Sequence, residues 1–408
     1  MESSYREKYD IFERHFRRKI SQKFRQIMLF LDKKTQKSNN VWAFPVCYYS
    51  GQFFDNARVV FEKVKNDANI KKVVLYRDKE NVSQVTGNNI DIIKLHSFVG
   101  YYWLFRSGVV FVRHCVFQDI GLNLDNENRL VVNLWHGIAL KSIGIQGYSF
   151  SITGRDPFGA VIASSAKDKL VMVESFISAT SENTWITGLP RNDLLSMPKS
   201  ELWPEVESEL EKVIDRKKGK KLLLFAPTFR AYWEEWENKA AYYQFTQEEK
   251  DALESLTKEH GYIIGIRTHL REERGVLEAF AGLDVEVFND INETAMVLRE
   301  ADILITDYSS IATDYILMER PVFSFSYDYE EYKEGRGLIY DLNEVFPTPL
   351  CGTFGELIER LSTAMEDPKS VTSSEHYQSA LELFHDNEVK PATALVIENI
   401  EKVINNKR

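Results

Sequence analysis

Two histidines directly follow apolar runs, at positions where β-strands are expected to end. His136 stands in the segment NLWHG (133–137), and His269 ends the segment RTH (267–269) after the apolar run YIIGI. A histidine is the side chain best suited to accept a proton near neutral pH. These positions indicate acid–base chemistry, although each histidine taken alone also fits a structural role in a loop.

Two further segments carry groups that favour phosphate. Arg191 follows a rigid Gly-Leu-Pro turn, and an arginine can hold a phosphate through two hydrogen bonds. Ser309 and Ser310 belong to TDYSS (306–310), after the apolar run DILI, and are predicted to lie in the first turn of a helix, whose unpaired N–H groups attract anions. Ordinary helix capping would explain one such residue but not the whole cluster.

Other candidate residues lie beside these segments. Asp314 comes about one helical turn after the serines, and Pro227 and Thr228 end an apolar strand in APTFR (226–230). Arg230 could serve a phosphate or pair with the glutamates that follow it. No Asp-x-Asp, Gly-x-Gly-x-x-Gly or P-loop pattern is present, so we expect no metal and no cofactor, with phosphate charge met by arginines and helix termini.

Short apolar runs alternating with amphipathic segments are the elements that would position these residues. Strand-like runs occupy 41–49, 72–77, 109–114, 130–136 and 160–164, and then 221–230, 262–269, 285–289, 302–310 and 321–328. A helical pattern at 56–67, with Asp55 as a plausible N-cap, is typical of the segments between them. The alternation predicts parallel sheets, which bind ligands at the carboxyl ends of their strands.

Charged, helix-like sequence at 200–219 interrupts this alternation once, so we predict an α/β protein with two doubly wound halves. The predicted boundaries are 1–37 for a basic N-terminal helix, 40–200 and 215–370 for the two halves, and 371–408 for C-terminal helices.

The charge distribution separates the N-terminal segment from the rest of the chain. The net charge of −10 over 408 residues disfavours nucleic acid as a partner, yet residues 1–37 hold 11 Lys/Arg against 5 Asp/Glu. A helix predicted at 4–31 carries an apolar stripe of Phe12, Phe16, Ile20, Phe24, Ile27, Met28 and Leu31. Such a helix either lies in an anionic membrane interface, packs on the chain's own first half, or pairs two chains. No run predicts a transmembrane helix or a secretory signal, and three scattered cysteines fit a reducing cytoplasm.

The order and spacing of these segments resemble the CDP-glycerol glycerophosphotransferase family. The series is NLWHG, TGLPRND, APTFR, RTH and TDYSS, followed by ATDYILMERPVFSFSYDYEEY, and the resemblance covers roughly residues 40–370. Enzymes of this family build teichoic acids and related capsule polymers. The resemblance implies two Rossmann-like domains facing across a cleft, in a glycosyltransferase-B-like architecture held at a membrane surface. It implies an acceptor side in 40–200 and a CDP-polyol side in 215–370.

Carried over residue by residue, the resemblance implies that His136 is the catalytic base and that His269 is a second catalytic residue. It implies a CDP-glycerol site lined, besides these histidines, by Gly137, Ile138, Ala139, Leu140, Arg191, Pro227, Thr228, Arg267, Thr268, Ser309, Ser310 and Asp314. The chain departs from the family at three places, where the usual residues are replaced by Ile138-Ala139, Ala231 and Leu270. The exact donor and acceptor therefore stay open.

The expected reaction moves glycerol phosphate, or a related polyol phosphate, from a CDP-polyol to a hydroxyl of a lipid-linked or polymeric acceptor, and CMP leaves. A nucleotide-sugar glycosyltransferase of the same architecture and a non-catalytic docking protein are the alternatives. The product's linkage separates the first alternative, and CMP release separates the second. The expected location is cytoplasmic, on the inner face of the bacterial cell membrane.

Overall fold

Two parallel β-sheets form the framework of the chain. The structure, a computed structural model, describes residues 22–46, 52–77, 82, 84–147, 157–228, 242–268, 273–386 and 391–406. Within these ranges one sheet has the strand order β3-β2-β1-β4-β5-β6-β7 and the other has the order β10-β9-β8-β11-β12. The strands are β1 Ser38–Pro45, β2 Lys71–Tyr76, β3 Ile90–Lys94, β4 Ser107–Val112, β5 Leu130–Asn133, β6 Ala160–Ala163, β7 Thr184–Ile186, β8 Lys221–Phe225, β9 Tyr262–Ile266, β10 Val285–Val287, β11 Ile303–Thr306 and β12 Val322–Ser324.

The strand sequences explain why these sheets are parallel and covered on both faces. Strands such as β4 (SGVVFV), β5 (LVVN) and β6 (AVIA) are buried at every position, as continuous apolar runs between two helical layers must be. Neighbouring strands pair in parallel throughout. The strand order reverses between β1 and β4 and between β8 and β11, and such reversals open crevices at the carboxyl ends of strands.

Helices connect and cover the strands. They are α1 Gln22–Lys34, α2 Asp55–Val64, α3 Phe98–Arg106, α4 Val116–Ile120, α5 Ala166–Ser175, α6 Asp193–Ser196, α7 Pro204–Lys217, α8 Gln247–Glu259, α9 Glu273–Ala279, α10 Thr294–Glu300, α11 Ile311–Tyr315, α12 Tyr329–Arg336, α13 Leu342–Val345, α14 Phe354–Glu366, α15 Pro368–Thr372, α16 Glu375–Phe384 and α17 Ala392–Asn406. The charged interruption seen in the sequence is α7, which lies between the two sheets along the chain.

The predicted alternation of strands and helices is confirmed, with three corrections. Strands β3 and β7 were not predicted: β3 has no fully buried residue, and β7 has only three residues. The strand predicted at 130–136 ends at Asn133, because Trp135 adopts a left-handed backbone conformation with φ +46°. The predicted N-cap of α2 is wrong, since Phe54 holds the cap position and Asp55 is the first helical residue.

The C-terminal helix α17 returns to the first half of the chain. The carboxylate of Asp193 accepts hydrogen bonds from the backbone N–H groups of Ala392 (2.8 Å) and Thr393 (2.9 Å) at the start of this helix. Val396 and Ile400 are fully buried in a hydrophobic core that also includes residues of both sheets. The helix therefore contributes to the same core as the sheets.

The N-terminal helix α1 packs on the first sheet through one side of its predicted stripe. Met28 is buried with residues of α3 and β4, and the buried carboxylate of Asp32 pairs with Arg129 and Lys37. Ile27 and Leu31 are exposed, as are Phe24 and Phe30. The predicted stripe residues Phe12, Phe16 and Ile20 lie outside the described residues. Among the helices that the structure describes, none has the length and apolar character needed to cross a bilayer.

Candidate active site

His136 sits in a tight turn directly after β5. The side chain of Asn133 accepts a hydrogen bond from the Trp135 N–H (2.9 Å), which holds Trp135 in its left-handed conformation. Gly137 follows with φ +146°, a conformation that side-chain-bearing residues rarely adopt. The sequence thus turns sharply at the strand end and leaves the partly exposed His136 at the carboxyl edge of the sheet.

The surroundings of His136 favour a neutral imidazole. Its Nδ1 lies 3.3 Å from the backbone carbonyl of Arg113, so Nδ1 carries the proton and Nε2 keeps its lone pair. Burial lowers the pKa of His136 well below the ordinary value, and His114 and Arg113 lower it further. A neutral Nε2 that can accept a proton is what a general base requires.

His114 belongs to the same group, although it was not among the residues predicted for the site. Its ring centroid lies 4.7 Å from that of His136, and its Nδ1 lies 3.1 Å from the carboxylate of Asp119. Arg113 and His114 directly follow β4, so the rule that polar residues after strands form sites would have found both.

Arg191 joins the turn of His136 to the second sheet. Its Nη1 donates to the His136 carbonyl (2.8 Å), and its Nη2 donates to the carboxylate of Asp314 in α11 (2.5 Å). A carboxylate oxygen of Asp55 lies 3.5 Å from Nη1. Burial would lower the pKa of Arg191, but Asp314 and Asp55 outweigh it and the pKa is raised. Arg191 is therefore a fixed, charged guanidinium beside His136.

Asp55 and Glu293 complete a buried charge network that the sequence analysis missed. Asp55 pairs with Arg113 (2.7 Å), and its backbone N–H donates to Glu293 (3.2 Å). Burial would raise the pKa of Asp55, but Arg113 and Arg191 outweigh it and the pKa is lowered. Burial raises the pKa of Glu293 to about 7, with a further contribution from Asp55. No sequence pattern marks either carboxylate as part of a charge network, because their partners are distant along the chain.

The first three residues of TDYSS connect strand ends in the second sheet. Thr306 Oγ1 donates to the Ala226 carbonyl (2.6 Å), and the Asp307 carboxylate accepts from the Thr228 N–H (2.8 Å). The Tyr308 hydroxyl donates to Asp328 (2.7 Å). These bonds hold the turns after β8 and β11 in place, so Thr306, Asp307 and Tyr308 have a structural role.

The two serines of TDYSS lie at the junction with the first sheet. Ser310 is the N-cap of α11 and Ser309 precedes it, so neither lies inside the first helical turn as predicted, and α11 has only five residues. A Cβ built on Gly137 would come within 2.8 Å of Ser310 Oγ and 3.1 Å of Arg191 Nη2. The glycine thus allows the two sheets to meet closely at the turn of His136.

Residues 138–140 continue this turn into the protein interior. The side chains of Ile138, Ala139 and Leu140 are buried in the main hydrophobic core, and the Leu140 carbonyl accepts from the Ile339 N–H (2.9 Å). Only the backbone of this segment can serve a substrate.

The remaining predicted residues that the structure describes make contacts of their own near the ends of β8 and β9. Arg267 donates to the carbonyls of Phe288 (2.8 Å) and Ile291 (2.7 Å), and so supports the loop that carries Glu293. The N–H of Thr268, which follows β9, donates to the side chain of Asn289 (2.9 Å). Pro227 and Thr228 follow β8, and Thr228 is buried. The second predicted histidine, His269, lies outside the described residues.

The fold and site define an α/β protein in which two parallel sheets bring a histidine, arginines and serines together at the ends of their strands. The family model of CDP-Glycerol:Poly(glycerophosphate) glycerophosphotransferase matches residues 27–402, which is most of the chain. The chain therefore belongs to this family.

Similar proteins include enzymes of teichoic acid synthesis. A teichoic acid poly(ribitol-phosphate) polymerase of Bacillus spizizenii is 30% identical over 261 residues, covering 62% of this chain and 40% of that protein. A teichoic acid glycerol-phosphate primase of Bacillus subtilis is 23% identical, covering 80% of this chain and 85% of that protein. The first relatives, all polymerases, are matched over only 36–46% of their own length.

A solved structure of the wall teichoic acid polymerase TagF has the same fold. It superposes with a TM-score of 0.69 at 20% identity, covering 100% of this chain and 98% of that chain.

Proposed function

We propose that this chain transfers glycerol phosphate, or a related polyol phosphate, from CDP-glycerol or another CDP-polyol to a hydroxyl of a teichoic-acid-like polymer. The observation that carries the proposal is the placement of His136: its Nδ1 lies on the Arg113 carbonyl, which leaves Nε2 to accept a proton, and its own backbone carbonyl accepts from the guanidinium of Arg191. Membership of the glycerophosphotransferase family and the names of the relatives, which are polymerases and primases, support it. A TagF crystal soaked with CDPG supports the donor.

In the proposed reaction, the acceptor hydroxyl attacks the phosphorus that carries the polyol, and His136 Nε2 takes the hydroxyl proton. The new O–P bond forms as the bond from this phosphorus to the bridging oxygen breaks, and CMP leaves with that oxygen. A phosphate monoester has a second pKa of about 6, so CMP leaves without strong acid assistance. The enzyme must supply alignment, a base and positive potential, and we propose that arginines and helix termini rather than a cofactor supply that potential.

Unsatisfied polar atoms support a phosphate site at the junction of the sheets. Within the described ranges, the Nε of Arg191 and the Oγ1 of Thr228 are buried without a hydrogen-bond partner. Because buried polar atoms are nearly always paired, such atoms favour a bound ligand. We assign Arg191 and Ser310 to the diphosphate, and stabilisation of the leaving phosphate to Arg191.

The same proposal extends to the arrangement of the chain. Residues 40–200 would form an acceptor-side domain and residues 215–370 a donor-side domain, with the substrates in a glycosyltransferase-B-like cleft between them. The close approach of Gly137 to Ser310 supports a site at this junction. His269, next to Thr268 at the end of β9, would act as the second catalytic residue, with Arg267 and Thr268 on the donor side.

Incubation with a panel of nucleotide donors tests the proposed reaction. CDP-glycerol, CDP-ribitol and UDP-sugars would each be combined with a lipid-linked or oligomeric acceptor, while CMP release and product mass are followed. We expect CMP release and a phosphodiester-linked product from a CDP-polyol, and a rate lower by roughly 10²–10⁴-fold from His136→Ala. A glycosidic product, or no transfer from any CDP-polyol, would overturn the proposal.

We also propose that the chain contacts the inner face of an anionic bacterial membrane from the cytoplasmic side. Helix α1 exposes Ile27 (56%) and Phe30 (60%), while helix α3, which packs beside it, exposes Phe98 (95%). Lysines and arginines flank these residues in residues 1–37, and each basic residue near an anionic surface contributes about 1 kcal/mol. Exposed apolar side chains on neighbouring helices, in a segment rich in lysine and arginine, suit shallow insertion between lipid headgroups.

Co-sedimentation with anionic vesicles tests the membrane contact. Because Met28 and Asp32 anchor α1 in the protein, deletion of residues 1–37 would disrupt the core, and point substitutions are the sharper probe. Phe30→Asp should abolish binding to anionic vesicles at low salt, whereas the same change at the exposed Ile214 should leave binding intact. Wild-type protein that ignores anionic vesicles at low salt would overturn this proposal.

A further inference from the structure

Asn56 lies buried between the two turns that carry His136 and Arg191. It belongs to the first turn of α2, and its side chain is 1% exposed. Its Nδ2 donates to the carbonyls of Leu134 (2.9 Å) and Trp135 (3.1 Å), and its Oδ1 accepts from the backbone N–H of Arg191 (2.9 Å). One amide group therefore connects the end of β5 to the turn that follows β7.

The chemistry of these three contacts requires an amide of this length. Two carbonyl oxygens need donors and one N–H needs an acceptor, and the side-chain amide of Asn56 supplies all three. A carboxylate at this position would face two carbonyl oxygens without a proton to offer them, and a methyl group would leave all three buried backbone groups unpaired. A glutamine carries an extra methylene, which would move its amide away from the positions that these three backbone groups require.

The contact with Trp135 bears directly on the orientation of His136. A non-glycine residue in the left-handed region costs on the order of 1–3 kcal/mol and persists only when its surroundings hold it. Asn133 accepts from the N–H of Trp135 (2.9 Å) and Asn56 donates to its carbonyl (3.1 Å), so the peptide groups on both sides of Trp135, the second of which leads into His136, are each held by a side chain.

The contact with Arg191 closes a ring of hydrogen bonds. From Asn56 the chain of contacts runs through Trp135 to His136, whose carbonyl accepts from the guanidinium of Arg191 (2.8 Å). The backbone N–H of the same Arg191 then returns to Asn56 (2.9 Å). The base and the guanidinium are thus fixed relative to each other through a side chain that faces neither.

We propose that Asn56 is a positioning residue that sets the direction of His136 and the place of Arg191 for the phosphoryl transfer. The kinetic part of this inference rests on the proposed function. The geometric part, the fixed orientation and tautomer of His136, can be measured without turnover. Because misplacement of a reacting group by about 1 Å costs on the order of 10²-fold in rate, loss of Asn56 should be seen mainly in kcat.

Two substitutions separate the donor contacts of Asn56, to the carbonyls of Leu134 and Trp135, from its acceptor contact with the Arg191 N–H. Asn56→Asp keeps an acceptor for the Arg191 N–H but loses both donors, so kcat should fall by about 10²-fold with donor KM little changed. Asn56→Ala loses the donor contacts and the acceptor contact with Arg191. Because Arg191 is assigned to the diphosphate, the donor KM should rise as well. Asn183→Ala is the matched control, since that amide also ties a loop through Ser178 and Thr180 but lies at the opposite end of the first sheet. The control should lose stability without losing kcat.

A double-mutant comparison distinguishes positioning from a general structural role. In a His136→Ala background, Asn56→Asp should cost little further activity, because residues that act through one another are strongly non-additive. If Asn56→Asp lowers kcat in the His136→Ala background by the same factor as in the wild-type chain, the proposal is overturned. Folded Asn56→Ala protein with wild-type kcat would overturn it too. Thermal denaturation shows whether the variants are folded. If Asn56→Ala, Asn56→Asp and Asn56→Ser all lack a cooperative unfolding transition, the residue is structural and the proposal is wrong.

Ring-nitrogen NMR of labelled histidine gives a readout that needs no reaction. His136 should show a protonated Nδ1 in the wild-type chain and in Asn183→Ala, and a mixture of tautomers in Asn56→Ala. An unchanged His136 signal in folded Asn56→Ala would overturn the positioning role. If the wild-type chain transfers nothing from any CDP-polyol, the proposed function fails, and the NMR comparison still decides whether Asn56 orients His136.

Discussion

At the residue scale, the behaviour of His136 follows from its two ring nitrogens. Nδ1 is held by the Arg113 carbonyl, which leaves Nε2 as an acceptor, and the charged Arg191 donates to the backbone carbonyl of the same residue. Burial, and after it nearby positive charge, lowers the pKa of His136, so the residue rests in the form that can take a proton. The same cations that lower its pKa provide the positive potential that a diphosphate needs.

His136→Ala should reduce kcat by roughly 10²–10⁴-fold, the usual cost of removing a general base. The affinity for the CDP-polyol should change much less, because Arg191 and the serines remain. Steady-state kinetics with donor binding measured separately would check this. Activity within a few-fold of wild type would remove His136 from the mechanism.

The acid limb of the pH–rate profile should lie below the ordinary histidine pKa of 6.5, because the pKa of His136 is lowered. A base acts only when deprotonated, so the rate should hold as the pH falls to 6.5 and decline only as the pH passes through the lowered pKa. Measurement of kcat/KM against pH tests this expectation. A limb centred above the ordinary value would contradict it.

At the element scale, the site is made of turns held together by side chains rather than of any single motif. Asp307 ties the turn after β8 to the turn after β11 through the Thr228 N–H (2.8 Å). Arg191 ties the turn after β7 to α11 through Asp314 (2.5 Å). The turns therefore stabilise one another, and a substitution in one turn should alter the position of the turn bound to it.

Replacing both Ser309 and Ser310 by alanine should raise the donor KM more than it affects the acceptor. Ser310 lies against Gly137 at the junction of the sheets, where we place the diphosphate. The loss should be partial, because Arg191 and backbone N–H groups remain. Donor and acceptor KM values measured on the double variant decide this, and an unchanged donor KM would move the diphosphate elsewhere.

Asp55→Asn should lower the free energy of unfolding by about 3–5 kcal/mol, because it removes a buried carboxylate and leaves the partly buried guanidinium groups of Arg113 and Arg191 short of a counter-charge. The lowered pKa of Asp55 means that its carboxylate stabilises the fold above the ordinary pKa and loses this effect as the pH falls through the lowered one. The penalty should therefore shrink in acid.

Urea unfolding at neutral and acidic pH measures this difference. Lys258→Gln, which removes an exposed pair with Glu254 (3.3 Å), is the matched control and should change little. An Asp55→Asn variant as stable as this control at neutral pH would contradict the network.

At the scale of the whole molecule, one hydrophobic core includes residues of both sheets and the C-terminal helix. Val396 and Ile400 of α17 share it with Phe44 of β1 and Leu304 of β11. The C-terminal segment, predicted from sequence only as helices after the second half, thus supports the first half. This shared core helps to hold the strand ends of the two sheets in place relative to each other.

Ile400→Ala should lower the free energy of unfolding by about 2–5 kcal/mol, since it opens a cavity in this shared core. Ile214→Ala removes the same atoms from a side chain that is 42% exposed and should cost much less. Urea denaturation of both variants gives the comparison. Equal costs would show that α17 contributes no more to the core than a surface position does.

The sequence alone determined the features that depend on local pattern. Apolar runs separated by amphipathic segments predicted parallel α/β sheets, and His136 after the run LVVN was placed correctly at a strand end. The order of NLWHG, TGLPRND, APTFR, RTH and TDYSS was enough to indicate the family. Strand periodicity and turn residues act over a few positions, so a single sequence carries them.

Only the tertiary structure decided which of these residues meet. Arg191 and Asp314 are 123 residues apart, and Asp55 and Glu293 are 238 residues apart, so no local pattern connects them. Arg267 and Arg191 were both predicted to bind substrate, yet the guanidinium of Arg267 donates to the loop carbonyls of Phe288 and Ile291. Asn56 looked like any polar residue near a helix start. Its role arises because packing brings two distant turns to one buried amide, and such contacts follow from the arrangement of the sheets rather than from neighbours in sequence.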